Sequence, residues 1–398
     1  MKCGLICGGL VAVLAYYAMN VTMPEGCAAP WKVRLTDVIM QPIFFITRDV
    51  IGAINLPTGV STLRMIFDGL SRMKAGSDPL LKIRDTNFDG VPVRVYTPVE
   101  SKDLLPGFVY YHGGGWEFGS RDTVEMICRE ISKRVNAVVV SVEYRMAPEV
   151  TFPIPFEDGL RATKHFLTHA EKLGVDPTRV GIGGDSAGGN MAAAVSLKLR
   201  DKKFEPKVKQ QVLIYPAVQS VDFHTPSYQQ NAFAPMLKAT HMHYYTSMHL
   251  TGNKSLMKVI ESNRHVSKDV QEAVRASYID YAWLPKEFRE QSPYEDQGVV
   301  EGDAEVWNSI KDAVMSPYMS PLLAKNLGDL PDAYVITCGY DVLRDEGYLY
   351  AQRMKEFGTK VKYVNYENTF HGVLNSFDII EEGGQMLDGI IAYLEKEL

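Results

Sequence analysis

Hydrophobic positions along the chain follow two periods, and the change from one to the other outlines its organisation. Over 36–70 the apolar residues Ile39, Ile43, Ile46, Val50 and Ile54 recur at roughly helical spacing, with Pro42 and Pro57 placed to bend or break the helix. From Ile83 onward the period is that of strands. Val91 to Tyr96 alternates apolar and polar except at Pro92, which predicts an edge strand, because proline cannot donate to a ladder. Further strands are predicted over 107–111, 137–144, around Val180, over 211–215 or from 208, over 333–339 and over 361–367. Helical stretches at 122–135, 156–174, 189–199, 346–357 and 378–396 separate them, with Gly174 suited to a left-handed C-terminal cap.

Strands alternating with helices imply right-handed crossovers and a mostly parallel sheet. The alternation fails once. No convincing strand appears over 216–315, and that stretch is too long for a plain loop. The expected fold is therefore α/β, a mostly parallel sheet flanked by helices, with a helical cap from the N-terminal segment and the mid-chain insertion. The expected parts are a leading segment at 1–23, an N-terminal cap segment at 24–84, and a catalytic α/β domain at 85–398 that contains the 216–315 insertion.

The leading segment has its own character. No residue between Lys2 and Glu25 is charged, and Leu5 to Met19 is mostly apolar. This predicts an uncleaved membrane anchor near the lower length limit for a span, with Tyr16 and Tyr17 suited to the interface. A cleaved signal peptide, with small residues at Ala18 or Ala28–Ala29, is the competing reading. Lys2 on one side against Lys32 and Arg34 on the other leaves the orientation open. The sequons at Asn20 and Asn253 are candidate glycosylation sites that would suit a lumenal domain.

Composition narrows the function. An apolar share of 46% supports a sizeable core, and a net charge of −6 without a basic stripe argues against nucleic acid as a partner. Five cysteines cannot all pair within one chain, and their spacing holds no zinc pattern. His241, His243 and His249 lack a nearby cysteine or paired carboxylates, so no metal is expected. His165 and His169 lack the glutamate of a zinc-protease helix, which makes a structural role the expectation.

Chemistry concentrates at strand ends. Gly184-Asp185-Ser186-Ala187-Gly188 lies between a strand and a small-residue helix, which places the Ser186 hydroxyl on a tight turn at a helix N-terminus. Upstream, Gly113, Gly114 and Gly115 follow the 107–111 strand. Their backbone N–H groups can approach a substrate oxygen without a Cβ in the way. With the N–H of Ala187 they form a candidate oxyanion hole. Downstream, His371 is the lone histidine after His265 and follows the 361–367 strand. Asp341 and Asp345 compete as its acid. Asp341 stands at a strand end, whereas helix capping explains Asp345. Ser186, His371 and Asp341 are thus the candidate catalytic set.

His112-Gly-Gly-Gly-Trp116, Tyr144-Arg-Met-Ala-Pro-Glu149, Gly184 to Gly189, Asp341 to Glu346 and Phe370-His-Gly372 together resemble the hormone-sensitive-lipase-like group of α/β-hydrolases. Within it, the chain is similar to the arylacetamide deacetylase and neutral cholesterol ester hydrolase branch. The likeness spans nearly the whole chain, including Pro30-Trp31-Lys32 and Pro226 to Gln230. It implies a membrane-anchored serine esterase of the endoplasmic reticulum with a lumenal catalytic domain and no cofactor. It also implies Ser186, Asp341 and His371 as triad. Which of the three glycines donate is left open. One departure is Glu117, which stands where some relatives carry a cysteine able to pair with the one matching Cys338; pairings of Cys128, Cys338 and Cys27 stay open.

The expected substrates are lipophilic esters such as acylglycerols, sterol esters or aryl esters. Amides as principal substrates, or a non-catalytic binding protein on the same scaffold, are the alternatives. Phe233, Met236, Tyr244 and Trp283 are candidates for the pocket lining by location. The oligomeric state is not legible.

Overall fold

The computed structural model describes residues 23–50, 58–74, 76–100 and 103–398. Eight strands form one sheet in the order β1-β2-β4-β3-β5-β6-β7-β8. They are β1 Leu81–Phe88, β2 Val91–Pro98, β3 Leu105–Tyr111, β4 Val138–Val142, β5 Val175–Asp185, β6 Gln210–Ile214, β7 Asp332–Tyr340 and β8 Val361–Phe370. Only β1 with β2 and β2 with β4 pair antiparallel; the other pairs are parallel.

Alternation along the buried strands sorts side chains into two layers. Val109, Tyr111, Val140 and Ile182 join one core together with Phe166 of α4 (Ile154–Thr168), Val195 of α5 (Ala187–Asp201) and Met354 of α7 (Arg344–Glu356). Phe108, Tyr110, Val139 and Ile336 join the other, against Ile127 and Ile131 of α3 (Glu125–Val135) and Ile390 of α8 (Glu381–Glu397). Each fully buried aliphatic or aromatic side chain of this kind contributes roughly 1.5–3 kcal/mol. This double burial holds the strand ends in place.

Four details depart from the sequence pattern. The Val91 strand is not at the edge, because β1 covers it. Pro92 is tolerated there since the ladder with β4 begins only at Val93, and Pro92 supplies just its carbonyl, to the Glu143 N–H at 3.0 Å. Helix α1 (Pro30–Phe45) continues through Pro42 and passes into a wider π-helical turn, Ile46–Val50, before α2 (Thr58–Lys74). The stretch 156–174 divides: α4 stops at Thr168, and Gly174, at φ 77°, ends a separate 3₁₀ turn, Glu171–Leu173. The boundary expected between 84 and 85 falls inside β1.

Within 216–315 the described backbone is helical and irregular, its longest helix being α6 (Ala239–Thr251). The expected anchor at 1–23 lies, except for Met23, outside the described residues, as do Pro57 and the Asn20 sequon. Among the described residues no helix is long and apolar enough to cross a membrane.

Candidate active site

Strand β5 ends at Asp185, and the chain enters α5 through Ser186 at φ 57°, ψ −118°. A non-glycine residue in that region is strained by about 1–3 kcal/mol. The surroundings hold it: the Ser186 N–H donates to the Ile214 carbonyl at 2.9 Å. Helix α5 starts so close to β3 that a Cβ on Gly188 would lie 2.6 Å from the Tyr111 carbonyl carbon and nearer still to its oxygen. Gly184 meets the same carbonyl. The two glycines of the elbow are therefore required by space.

Asp341 and His371 arrive from the ends of β7 and β8. The His371 Nδ1 lies 2.8 Å from Asp341 Oδ2, and its Nε2 lies 2.9 Å from Ser186 Oγ. The Leu343 N–H holds the second Asp341 oxygen at 2.9 Å. With Nδ1–H donating to Asp341, Nε2 faces the hydroxyl as an acceptor. All three side chains are buried. Asp345 is used otherwise: it pairs with Arg344 at 2.8 Å and accepts the Ser227 N–H at 2.7 Å. That network braces the insertion and does not reach His371.

The glycine loop is tied to the elbow through Asp185. Its Oδ1 accepts both the Gly113 N–H and the Tyr110 hydroxyl, each at 3.0 Å. Burial pushes this carboxyl above its ordinary range, while Tyr110 and the Gly113 amide favour its charged form. Gly113 is thus occupied as an anchor, which corrects its place among the candidate oxyanion donors. The amides of Gly114 and Gly115 donate to no described residue. Gly114, at φ 116°, has no space for a Cβ beside the Phe118 carbonyl, and Gly115 packs against the Tyr245 ring. Ala187 opens α5, where the N–H has no intrahelical partner. His112 is structural. Its ring stacks on Tyr144 at 4.3 Å, and burial pushes its pKa down to about 4.

Above these groups lies a cavity of about 330 Å³ lined by Gly113 to Gly115, Ser186 and His371. Its walls are mostly apolar: Met40, Phe44, Phe67 and Leu70 from α1 and α2, Phe118 from the glycine loop, and Met236, Leu237 and Tyr245 from the insertion. Of the four cap residues singled out from sequence, only Met236 lines it. Phe233 is 77% and Trp283 46% exposed, and the Tyr244 hydroxyl donates to Glu117.

Two arginines fasten the N-terminal helices over the cavity. Arg48 donates to Glu117 Oε2 at 2.8 Å and to the Tyr245 hydroxyl at 2.7 Å, among the rings of Phe44, Tyr244 and Tyr245. Arg64 bonds the carbonyls of Glu117 and Ala147 and both oxygens of Glu149. Sequence reasoning missed Arg48, Phe118 and Tyr245. Glu117 was the one signal, as a charge beside an apolar glycine loop.

The remaining candidates stay apart. His249 is buried and His241 half-buried; desolvation pushes both down to about 3, and His243 to about 4. His249 stacks on Trp116 at 4.4 Å. No metal-binding group of three occurs among the described residues. His165 and His169 stack on each other at 4.2 Å. Cys27, Cys128 and Cys338 are free thiols, and burial pushes the latter two well up. Asn253 is exposed in the turn after α6.

A mostly parallel sheet whose strand ends bring together a serine on a forced turn, a histidine and a carboxylate has the build of a hydrolase of the α/β class. Residues 108–279 and 274–375 match the family described as alpha/beta hydrolase fold, and the chain belongs to that family. It is 36% identical to the arylacetamide deacetylase of Bos taurus over 99% of this chain and 98% of that protein. It is also 36% identical to the neutral cholesterol ester hydrolase 1 of Rattus norvegicus, over 93% and 92%. A solved esterase of Pyrobaculum calidifontis superposes with a TM-score of 0.65 at 32% identity, covering 85% of this chain and 93% of that one. The chain is a carboxylic ester hydrolase.

Proposed function

We propose that the protein cleaves lipophilic carboxylic esters through Ser186, His371 and Asp341. The observation that carries this reading is the continuous hydrogen-bond chain from Ser186 Oγ to His371 to Asp341, at 2.9 and 2.8 Å. His371 Nε2 takes the hydroxyl proton as Oγ attacks the ester carbonyl carbon. Asp341 holds the imidazole in the tautomer this needs and stabilises the imidazolium. The amides of Gly114, Gly115 and Ala187 receive the developing oxyanion. Each such donor typically matters by about 10²- to 10³-fold in rate. The imidazolium then protonates the leaving alkoxide. Water, deprotonated by the same nitrogen, releases the acid from the acyl-enzyme.

The apolar cavity walls favour acylglycerols, sterol esters or aryl esters over charged substrates. Amides of aryl amines are the second reading, favoured by the name of the bovine relative. We place the catalytic domain in the lumen of the endoplasmic reticulum, as a single-pass type II protein anchored by 1–23. The uncharged run between Lys2 and Glu25 and the exposed Asn253 sequon support this. The test is labelling by a fluorophosphonate probe, with kcat/KM on matched acetyl ester, acetamide and long-chain ester. The wild type is expected to label and to prefer esters, and Ser186→Ala to do neither. A folded, unlabelled wild type would overturn the reading.

A further inference from the structure

The mouth of the cavity opens into a surface that is apolar without an internal partner. On α1, Trp31, Leu35 and Ile39 recur every four residues and are 68%, 55% and 48% exposed. Met73, at the end of α2, is 85% exposed, and Ile379, in the loop before α8, is 51% exposed. These segments meet at the mouth. Lys32 Nζ donates to the Ile379 carbonyl at 2.6 Å, and Lys74 Nζ pairs with Asp378 at 3.1 Å. Leu70, Lys74, Phe377 and Asp378 in turn line the cavity that contains Ser186.

We propose that this face rests on a lipid bilayer, so that the cavity takes its ester from the membrane without passage through water. The inference rests on Ser186 as nucleophile and goes beyond the anchor, because it concerns the folded domain itself. Three observations select a bilayer over a protein partner or a second copy. The patch borders the cavity through Leu70, Lys74, Phe377 and Asp378, so its occupant must leave a lipophilic ester a way to Ser186. Everything between Lys2 and Glu25 is uncharged in sequence, and this mostly apolar run precedes α1 by only a few residues. The rim also has the composition of a lipid–water boundary: Lys32 lies 5.8 Å from the Trp31 ring, and Lys74 sits beside Met73. Lysine ammonium groups and the amphipathic indole settle at headgroup level while neighbouring aliphatic side chains enter the acyl region.

The full-length protein is mixed with phosphatidylcholine vesicles that carry a long-chain ester, and separately assayed on a water-soluble acetyl ester. For Leu35→Glu/Ile39→Glu/Met73→Glu the rate on the vesicle-borne ester is expected to fall at least tenfold. The rate on the soluble ester stays within twofold. Brominated lipids are expected to quench wild-type tryptophan fluorescence and to lose that component in Trp31→Phe. Unchanged rates on both esters overturn the proposal, as does the absence of any Trp31-dependent quenching. A dimer of the wild type that the triple substitution dissociates, with vesicle rates unchanged, overturns it in favour of a second copy. Loss of both rates marks a misfolded variant, and the Trp31→Phe comparison then decides. A wild type inactive on both esters would instead remove the proposed function.

Discussion

The strand ends that carry Ser186, Asp341 and His371 are positioned by backbone, whereas the helices above them are positioned by side chains. At the elbow, the contacts that matter are a carbonyl against a missing Cβ and an N–H to a neighbouring strand. In the caps, the fastenings are guanidinium bonds: Arg48 to Glu117 and Tyr245, and Arg64 to the glycine loop and Glu149. Backbone geometry tolerates almost no change of residue and leaves a short, readable motif. Side-chain fastenings can be met by many residue pairs, and they leave none. The lower half therefore defines what the chain does, and the upper half defines what it does it to.

Substitutions that separate the two halves test this contrast. The largest effect is expected at Gly188→Ala, whose methyl group has no space beside the Tyr111 carbonyl. Overlap of a core backbone costs on the order of 4 kcal/mol or more, and the expected outcome is little folded protein on expression. A soluble Gly188→Ala enzyme with near-normal kcat would break the contrast on the backbone side.

Next comes Arg48→Met, which leaves Glu117 buried without its cation. Stability is expected to fall by about 3–5 kcal/mol, with the double variant Arg48→Met/Glu117→Met recovering much of it. Chemical denaturation measures both. Activity on an acetyl ester should be kept better than on a sterol or long-chain ester, since the cap wall moves and the triad does not. Equal losses on both substrates would show that Arg48 also holds the glycine loop.

The smallest effect is a slope. Glu346, beneath Asp341, accepts from the Val218 N–H and the Gln219 side chain, yet burial pushes its pKa from the ordinary 4.5 up to about 8. The folded state then binds a proton that the unfolded state has released. Its stabilising contribution is complete below about 4.5 and is lost as the pH rises through about 8. Glu346→Gln should make the decline of stability across that window shallower. An unchanged slope in urea titrations at several pH values would assign the decline to another group.

Legibility follows the same division. Ser186, Asp341 and His371 were readable as candidates because each stands just past the end of a strand, in the chain order that the chemistry requires. Asp345 could be set aside for its position, although its actual duty is a pair with Arg344 and a bond to Ser227 and not a helix cap, since Leu343 takes the N-cap position without a side-chain bond. The role of Gly113 was not readable. Three adjacent glycines look alike in sequence, and only Asp185 across the gap distinguishes the first. The true edge strand was missed because β1, with Arg84 and Asp85 between its apolar positions, carries a weak period. The cavity wall was missed because Phe44 and Tyr245 are brought together by Arg48, 197 positions from Tyr245 in the chain.

The bond from Gly113 to Asp185 has a consequence for how such enzymes can be rebuilt. It makes the end of β3 and the end of β5 one transferable cassette, because Asp185, the residue before the serine, sets the height of the loop that faces the nucleophile. Grafting the glycine loop from another hydrolase without its own residue at position 185 would bring in a part without its ruler. The acidic residue beside the serine is thus a matched joint, to be moved together with the loop or left in place.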